Sequence, residues 1–180
     1  CHVLRSELFA LVAPLRRMLA SQRGRWAVDI DLTLADQGVD VGLKGFAMEG
    51  LEATEAALDF ARENGLARLS VDLGYGAEPV WEPEPVTVTL GSVPVGLPPG
   101  AFLQATAEGE AALARLVSGH IGESKRIKRV ADLFSGVGTF ALRLARAYSV
   151  LAVESDEKAV KSLDFAARNT QGLKPVTVER

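Results

Sequence analysis

Residues 130–145, VADLFSGVGTFALRLA, place a glycine turn between an apolar run and an amphipathic run. Within this stretch, residues 136–141 fit the relaxed Gly-x-Gly-x-x-Gly/Ala pattern of dinucleotide-binding turns. A turn of this kind brings backbone N–H groups and a helix start close to a ligand. The glycines alone leave two readings open, a nicotinamide or flavin dinucleotide and a different adenosine ligand.

The chain around this turn alternates strands with helices. The hydrophobic pattern predicts strands at 129–134, 149–154 and 175–179 and helices at 106–118, 139–147 and 156–169. Alternation at this spacing is typical of right-handed crossovers in a parallel sheet. Three strands are fewer than a complete doubly wound sheet contains, so we predict an α/β fold with a partial Rossmann-like sheet.

Residues 1–99 show a different organisation. The pattern predicts helices at 6–20, interrupted or kinked near Pro14, and at 52–64, and strands at 26–34, 39–43, 67–73 and 86–90. We expect these elements to form an α+β unit with antiparallel strands. The segment GLPPGAFLQ, with two prolines and two glycines, places the boundary near Pro98-Pro99, so the predicted domains are 1–99 and 100–180.

The composition limits the class of protein. The chain has 180 residues, 48% of them hydrophobic, which is enough for a soluble globular core. No run approaches the roughly 18 apolar residues of a membrane span, so we expect a cytoplasmic protein without a membrane partner. One cysteine excludes an internal disulfide. The net charge is −6 over residues 1–99 and +3 over 100–180, too weak to indicate a nucleic-acid binder by itself.

Two carboxylates frame the turn. Asp132 precedes Gly136 by four residues and can accept hydrogen bonds from an ammonium group, which a methionine-type ligand has and NAD lacks. Glu154 ends the next strand, where a carboxylate accepts from the hydroxyls of a ribose. The pair therefore predicts an adenosine ligand and favours S-adenosylmethionine. A loop cap at Asp132, a solvated strand end at Glu154 and a turn without a ligand stay open as alternatives.

Three stretches of the chain resemble the RNA (uracil-5-)-methyltransferase family. They are CHVL before the first helix, GAFLQAT ahead of the alternating region, and DLFSGVGTFAL followed by VLAVESDEKAV. The third stretch is shared broadly by class I S-adenosylmethionine methyltransferases, whereas the second is more specific. The resemblance spans essentially the whole chain, and it implies methylation of uridine C5 in RNA, with 23S rRNA foremost and tRNA as the other substrate.

The resemblance and the two carboxylates together assign a set of residues to the methyl donor. These are Gln104, Asp132, Phe134, Gly136, Gly138, Thr139 and Glu154. Gln104 is expected to reach the donor from the preceding segment, and Phe134 and Thr139 to flank it on either side of the glycines. Thr139 and Thr106 stand where relatives have asparagine, which departs from the family pattern.

The family's reaction needs a cysteine. The resemblance implies that a thiolate adds to C6 of an unpaired or flipped uracil, that C5 takes the methyl group, and that a base then removes the C5 proton. The one cysteine, Cys1, precedes the first helix, whereas the family's nucleophile follows later strands. We therefore predict no catalytic residue and no methyltransferase activity in this chain, which we interpret as part of a longer parent.

The resemblance matches Cys1 instead with the fourth ligand of a 4Fe–4S cluster. The other three cysteines are absent from the chain, so an iron–sulfur cluster is expected only in a full-length parent. Two isolated histidines, His2 and His120, give no metal site or catalytic triad. The basic run at 125–129 is read either as a phosphate contact or as a solvated loop.

Three other functions stay open. They are a class I methyltransferase with a different acceptor, an NAD-dependent oxidoreductase, and a non-enzymatic RNA-binding module. RNA is the expected partner in the favoured reading, and no obligate protein partner is predicted.

Overall fold

The computed structural model describes residues 4–21, 27–124 and 126–180. It divides into two compact units, Cys1–Val86 and Thr87–Arg180. Among the described residues, no helix is long and apolar enough to cross a membrane.

The first unit has the expected α+β character. It contains helices α1 (Ser6–Ala10), α2 (Val12–Ser21) and α3 (Gly50–Glu63) and strands β1 (Asp29–Ala35), β2 (Gly38–Lys44), β3 (Arg68–Asp72) and β4 (Glu78–Trp81). The sheet order is β1-β2-β3-β4, with β1–β2 and β3–β4 antiparallel. The β2–β3 pair is parallel because α3 provides the crossover between the two strands. The predicted start of the first strand, at Trp26, lies outside the described residues.

Two local features of the first unit depend on particular side chains. The helical run predicted over 6–20 is interrupted at Leu11, close to the expected position, and Pro14 lies in the first turn of α2, where its missing N–H needs no partner. In the sheet, the buried guanidinium of Arg68 donates to both carboxylate oxygens of Asp40, at 3.0 and 2.6 Å. This paired charge ties β3 to β2 in the core.

The second unit contains the parallel sheet. Its elements are β5 (Thr87–Leu90), β6 (Val93–Gly96), α4 (Ala107–Gly122), β7 (Arg129–Leu133), α5 (Ala141–Leu144), β8 (Ser149–Val153), α6 (Glu157–Asn169) and β9 (Val176–Glu179). The order β7-β8-β9 is parallel throughout, with β8 in the middle, and β5 and β6 form a separate antiparallel hairpin. The predicted α/β class and partial Rossmann-like sheet are confirmed.

The hairpin belongs to the second unit although it precedes Pro98-Pro99. Leu90, Val93 and Val95 are buried in the same core as the helices that cover the parallel sheet. The first compact unit therefore ends at Val86, earlier in the chain than the proposed boundary. The reason is that these apolar side chains pack in the core of the second unit.

Side-chain caps set the starts of two helices. The Oγ1 of Thr106 accepts from the Gly109 N–H at 3.0 Å, and the Oδ1 of Asp156 accepts from the Ala159 N–H at 2.7 Å. The predicted end of the first of these helices at Ser118 was wrong, since α4 continues through Gly119 to Gly122. A glycine inside a helix costs only about 1 kcal/mol, so it does not by itself end one.

Candidate functional site

The glycine turn lies between β7 and α5, at the carboxyl edge of the parallel sheet. Both glycines have positive φ, 54° at Gly136 and 102° at Gly138. A Cβ on Gly138 would lie 2.4 Å from Cδ1 of Leu163, whereas a Cβ on Gly136 would meet nothing within 4 Å. Gly138 therefore permits α6 to pack on the turn, and Gly136 leaves open space in which a ligand can approach the backbone.

Glu154 joins the second strand to this turn. Its Oε2 accepts from the Gly136 N–H at 2.9 Å, and its Oε1 accepts from the N–H groups of Ser155 at 2.7 Å and Asp156 at 2.9 Å. These hydrogen bonds, that of Asp156 first and that of Gly136 next, hold the pKa of the carboxyl below its usual range. The site thus has a fixed, ionised acceptor beside the open glycine.

Asp132 carries an unsatisfied acceptor. Burial raises the pKa of its carboxyl, and a hydrogen bond from the backbone of Ala141 opposes the shift only in part. Its Oδ2 is buried and has no hydrogen-bond partner among the residues that the structure describes. Buried polar atoms are normally paired, so this oxygen fits a role that awaits an external donor. The contact with Ala141, at the start of α5, also fits the alternative of a loop cap.

Phe134 and Thr139 flank the glycines in opposite environments. Phe134 has a φ of 61°, in the left-handed region, and the residue is 90% exposed. Strained backbone of this kind concentrates at functional sites. Thr139, in contrast, is buried, and little of its surface is exposed to solvent. Of the two residues, only Phe134 presents a large surface to a ligand.

A cavity of about 210 Å³ opens beside the turn. It is lined by segment 98–102, by Gly136 and Val137, and by Glu154, Asp156 and Lys158 after β8. Of the predicted site residues, the structure brings Gly136 and Glu154 together in this lining. The other five, which do not line it, are Gln104, Asp132, Phe134, Gly138 and Thr139. Gln104 is half-buried, two residues beyond the cavity-lining Phe102.

Sequence reasoning missed the contribution of segment 98–102 and of Lys158 to this cavity. By sequence the prolines of this segment indicate a domain boundary, but a rigid Pro-Pro-Gly passage is equally suited to form the wall of a cavity. Lys158 lies in the first turn of α6. The sequence does not distinguish a solvated lysine at such a position from one that contacts a ligand.

The remaining candidate residues are one cysteine, two histidines and a basic run. Cys1, His2 and Lys125 lie outside the described residues. Within the described ranges, no three histidine, cysteine or acidic side chains could jointly hold a metal ion. His120 is exposed on α4, 3.8 Å from Glu123. One cysteine cannot supply the four thiolates of a 4Fe–4S cluster, so this chain's residues do not fit that group.

Comparison with protein-family models gave no match. Among curated proteins, the chain is 49% identical over 168 residues to an uncharacterized RNA methyltransferase of Zymomonas mobilis, covering 93% of this chain and 42% of that protein. It is 31% identical over 171 residues to the 23S rRNA (uracil(1939)-C(5))-methyltransferase of Aeromonas salmonicida, covering 93% and 38%. The chain therefore spans about two fifths of the length of these relatives.

A solved structure shares the fold. The tRNA (uracil-54, C5)-methyltransferase of Pyrococcus abyssi, crystallised with S-adenosyl-L-homocysteine, matches 93% of this chain and 44% of its own at a TM-score of 0.66 and 20% identity. The relatives above are named RNA methyltransferases, and each matches 93% of this chain. The shared fold agrees with them. The chain belongs to the RNA methyltransferase family, with a 23S rRNA uracil-C5 methyltransferase among its relatives.

Proposed function

We propose that the whole protein transfers a methyl group from S-adenosylmethionine to C5 of a uridine in RNA, foremost 23S rRNA. The main support is the hydrogen bond between Glu154 and Gly136, which sets an ionised acceptor beside an open cavity at the carboxyl edge of the parallel sheet. Ligands of open α/β sheets bind at this edge. The names of the Aeromonas and Pyrococcus proteins support uracil C5 as the acceptor.

The residues present fit the methyl donor. Glu154 would accept from its ribose hydroxyls, and the unsatisfied Oδ2 of Asp132 would accept from its ammonium group. Gln104 and the exposed ring of Phe134 would complete the contacts from the two sides of the turn. When bound, the donor supplies an electrophilic methyl group on a sulfonium. The chain's own residues then act by holding this group in line with the attacking carbon.

Gly138 and Thr139 have a supporting role in this proposal. Both lie in the packed part of the turn, Gly138 against Leu163 and Thr139 with 9% of its surface exposed. They would keep the backbone N–H of Gly136 in place, while the open glycine itself meets the ligand.

We also propose that this chain does not contain the nucleophile of the reaction. Its one cysteine is Cys1, which the sequence pattern places far from the glycine turn. Addition to C6 of uracil needs a thiolate, and no other residue of the chain supplies one. The chain is then expected to bind the donor without transferring its methyl group.

Calorimetry with the 180-residue chain separates the candidate functions. We expect binding of S-adenosyl-L-homocysteine and none of NAD; NAD binding without S-adenosyl-L-homocysteine would favour an oxidoreductase and overturn the proposal. RNA affinity without donor binding would favour a non-enzymatic module. Incubation with radiolabelled S-adenosylmethionine and rRNA transcripts should leave the RNA unlabelled, since label on uridine C5 would contradict the missing nucleophile.

A further inference from the structure

A second cavity in the same unit, which we call the arginine cleft, is formed by the β5–β6 turn, α4 and α5. Its volume is about 330 Å³, and it shares no lining residue with the cavity beside Glu154. The charged side chains that line it are Arg115, Arg143 and Arg146, and no carboxylate is among the lining residues. The proposed donor site therefore does not account for it.

Arg143 is held rigidly at the inner wall of the cleft. Its Nη2 forms an ion pair with the carboxylate of Glu110, which is 8% exposed and stands behind the lining. Gly91, at a φ of 70°, lies against the guanidinium, and a Cβ there would be 3.3 Å from Nη1. The Nε of Arg143 is buried without a hydrogen-bond partner among the described residues. Because Gly91 has no side chain, the β5–β6 turn can pack directly against the guanidinium of Arg143.

Arg146 is fixed by two acceptors. Its Nη2 donates to Oγ of Ser92 at 2.6 Å, and its Nη1 donates to the backbone oxygen of Gln171 at 3.3 Å. Gln171 precedes β9, so Arg146 lies toward the amino ends of the strands, at the opposite edge of the sheet from Glu154. A ligand of the cleft would be held well away from the proposed methyl transfer.

Arg115 differs from the other two arginines. It is exposed on α4, and within the described part of the chain it forms no hydrogen bond or ion pair. Glu110 compensates one of the three guanidiniums, which leaves two positive charges without a carboxylate partner at the cleft. Such an excess of N–H donors fits a phosphate oxygen, the group that arginine recognises best besides a carboxylate.

We propose that the arginine cleft binds a backbone phosphate of the RNA substrate. This inference rests on the proposed function, since it takes RNA as the substrate. The guanidiniums of Arg115 and Arg146 surround the phosphate, and the hydroxyl of Ser118 is a further donor on the lining. The apolar floor, with Leu90 and Val93, leaves room for the attached ribose. The cleft then contacts RNA at a distance from the reacting uridine.

The test is the salt dependence of RNA binding by the 180-residue chain. Fluorescence anisotropy with a labelled oligouridylate gives the slope of log K against log[KCl] for the wild type, Arg115→Ala and Arg168→Ala. Arg168 is a matched control, an exposed helix arginine outside the cleft that forms an ion pair with Asp164. We expect Arg115→Ala to reduce the slope by about 0.7, the value for one phosphate contact to a single strand. Arg168→Ala should keep the wild-type slope.

A second variant and a competitor complete the test. Arg146→Gln, which keeps a donor for Ser92, should lower the slope like Arg115→Ala, and both should melt at the wild-type temperature. Inorganic phosphate at constant ionic strength should compete poorly with RNA. Direct phosphate binding that Arg115→Ala abolishes, together with an unchanged slope for RNA, would assign the cleft to free phosphate and overturn the RNA assignment. Equal slopes in all four proteins would overturn the proposal.

Donor binding by the same samples keeps the two proposals apart. If the chain binds both S-adenosyl-L-homocysteine and RNA but Arg115→Ala has no effect on RNA binding, only the proposal for the arginine cleft is overturned. Failure of the wild-type chain to bind RNA, with donor binding intact, would overturn the cleft and leave the donor site standing.

Discussion

The carboxylate of Glu154 accepts a hydrogen bond from the backbone N–H of Gly136 across 2.9 Å, which joins the end of β8 to the turn after β7. One oxygen of this carboxylate thus supports the turn, while the cavity opens beside both residues. The residue proposed to hold the donor's ribose is therefore also a positioning residue for the glycine turn.

Glu154→Gln should weaken donor binding. The amide keeps the size of the side chain but loses the charge that strengthens its hydrogen bonds, so we expect the Kd for S-adenosyl-L-homocysteine to rise roughly 10-fold. Because the pKa of Glu154 is lowered, the wild-type carboxylate stabilises the turn above the ordinary glutamate range, and this support is lost as the pH falls through the lowered pKa. Calorimetry checks the affinity; Glu123→Gln, at the end of α4, is the control, and equal Kd values would refute the assignment.

Asp132→Asn should raise the stability of the chain at neutral pH while it weakens binding of the methyl donor. The raised pKa of Asp132 means that the wild-type folded state loses stability as the pH rises from the ordinary aspartate range through the raised value. Asparagine does not titrate, so the free energy of unfolding of the variant should exceed that of the wild type at neutral pH and approach it in acid. Urea denaturation across pH measures this difference.

The same substitution should weaken donor binding, because the neutral amide no longer attracts an ammonium group. Asp164→Asn, which removes an i,i+4 ion pair with the exposed Arg168 on α6, should change the stability by less than about 0.5 kcal/mol at any pH. A pH-independent difference for Asp132→Asn would argue against a raised pKa, and unchanged donor affinity would favour the loop-cap alternative.

The two glycines should respond differently to alanine. Both have positive φ, which costs an alanine about 1 kcal/mol, but only at Gly138 would the new Cβ overlap Leu163. We expect Gly138→Ala to lose about 3 kcal/mol of unfolding free energy and Gly136→Ala about 1 kcal/mol. Urea denaturation compares the two variants; a larger loss for Gly136→Ala would contradict the packing role of Gly138.

Phe134→Gly should stabilise the chain and impair its site. Glycine adopts a φ of 61° without penalty, so the unfolding free energy should rise by about 1 kcal/mol. Loss of the exposed ring should at the same time weaken donor binding. Phe134→Ala is the matched control, since it removes the ring but keeps the strain, and stabilisation by alanine as well would show that the backbone is not the cause.

The sequence predicted the elements of the second unit well because their signals are local. The caps Thr106 and Asp156 and the alternating strands act within a few residues, and the helices and strands after residue 100 were found accordingly. Strand β6 was not predicted, and α5 covers only Ala141–Leu144 of the helix predicted over 139–147. Prediction was weaker where distant packing decides the outcome. Two examples are the continuation of α4 through Gly119 and the burial of the β5–β6 hairpin in the core of the second unit.

The sequence by itself determined the parallel sheet, the glycine turn and the carboxylate at the end of the second strand, since period and spacing encode backbone conformation locally. Only the tertiary structure decided which glycine opens to a ligand and which packs on Leu163, and that Glu154 bonds Gly136. It alone brought Gly91 onto Arg143 to build the arginine cleft. These contacts join residues far apart in the chain, and they arise from how helices cross over the sheet, which no local pattern specifies.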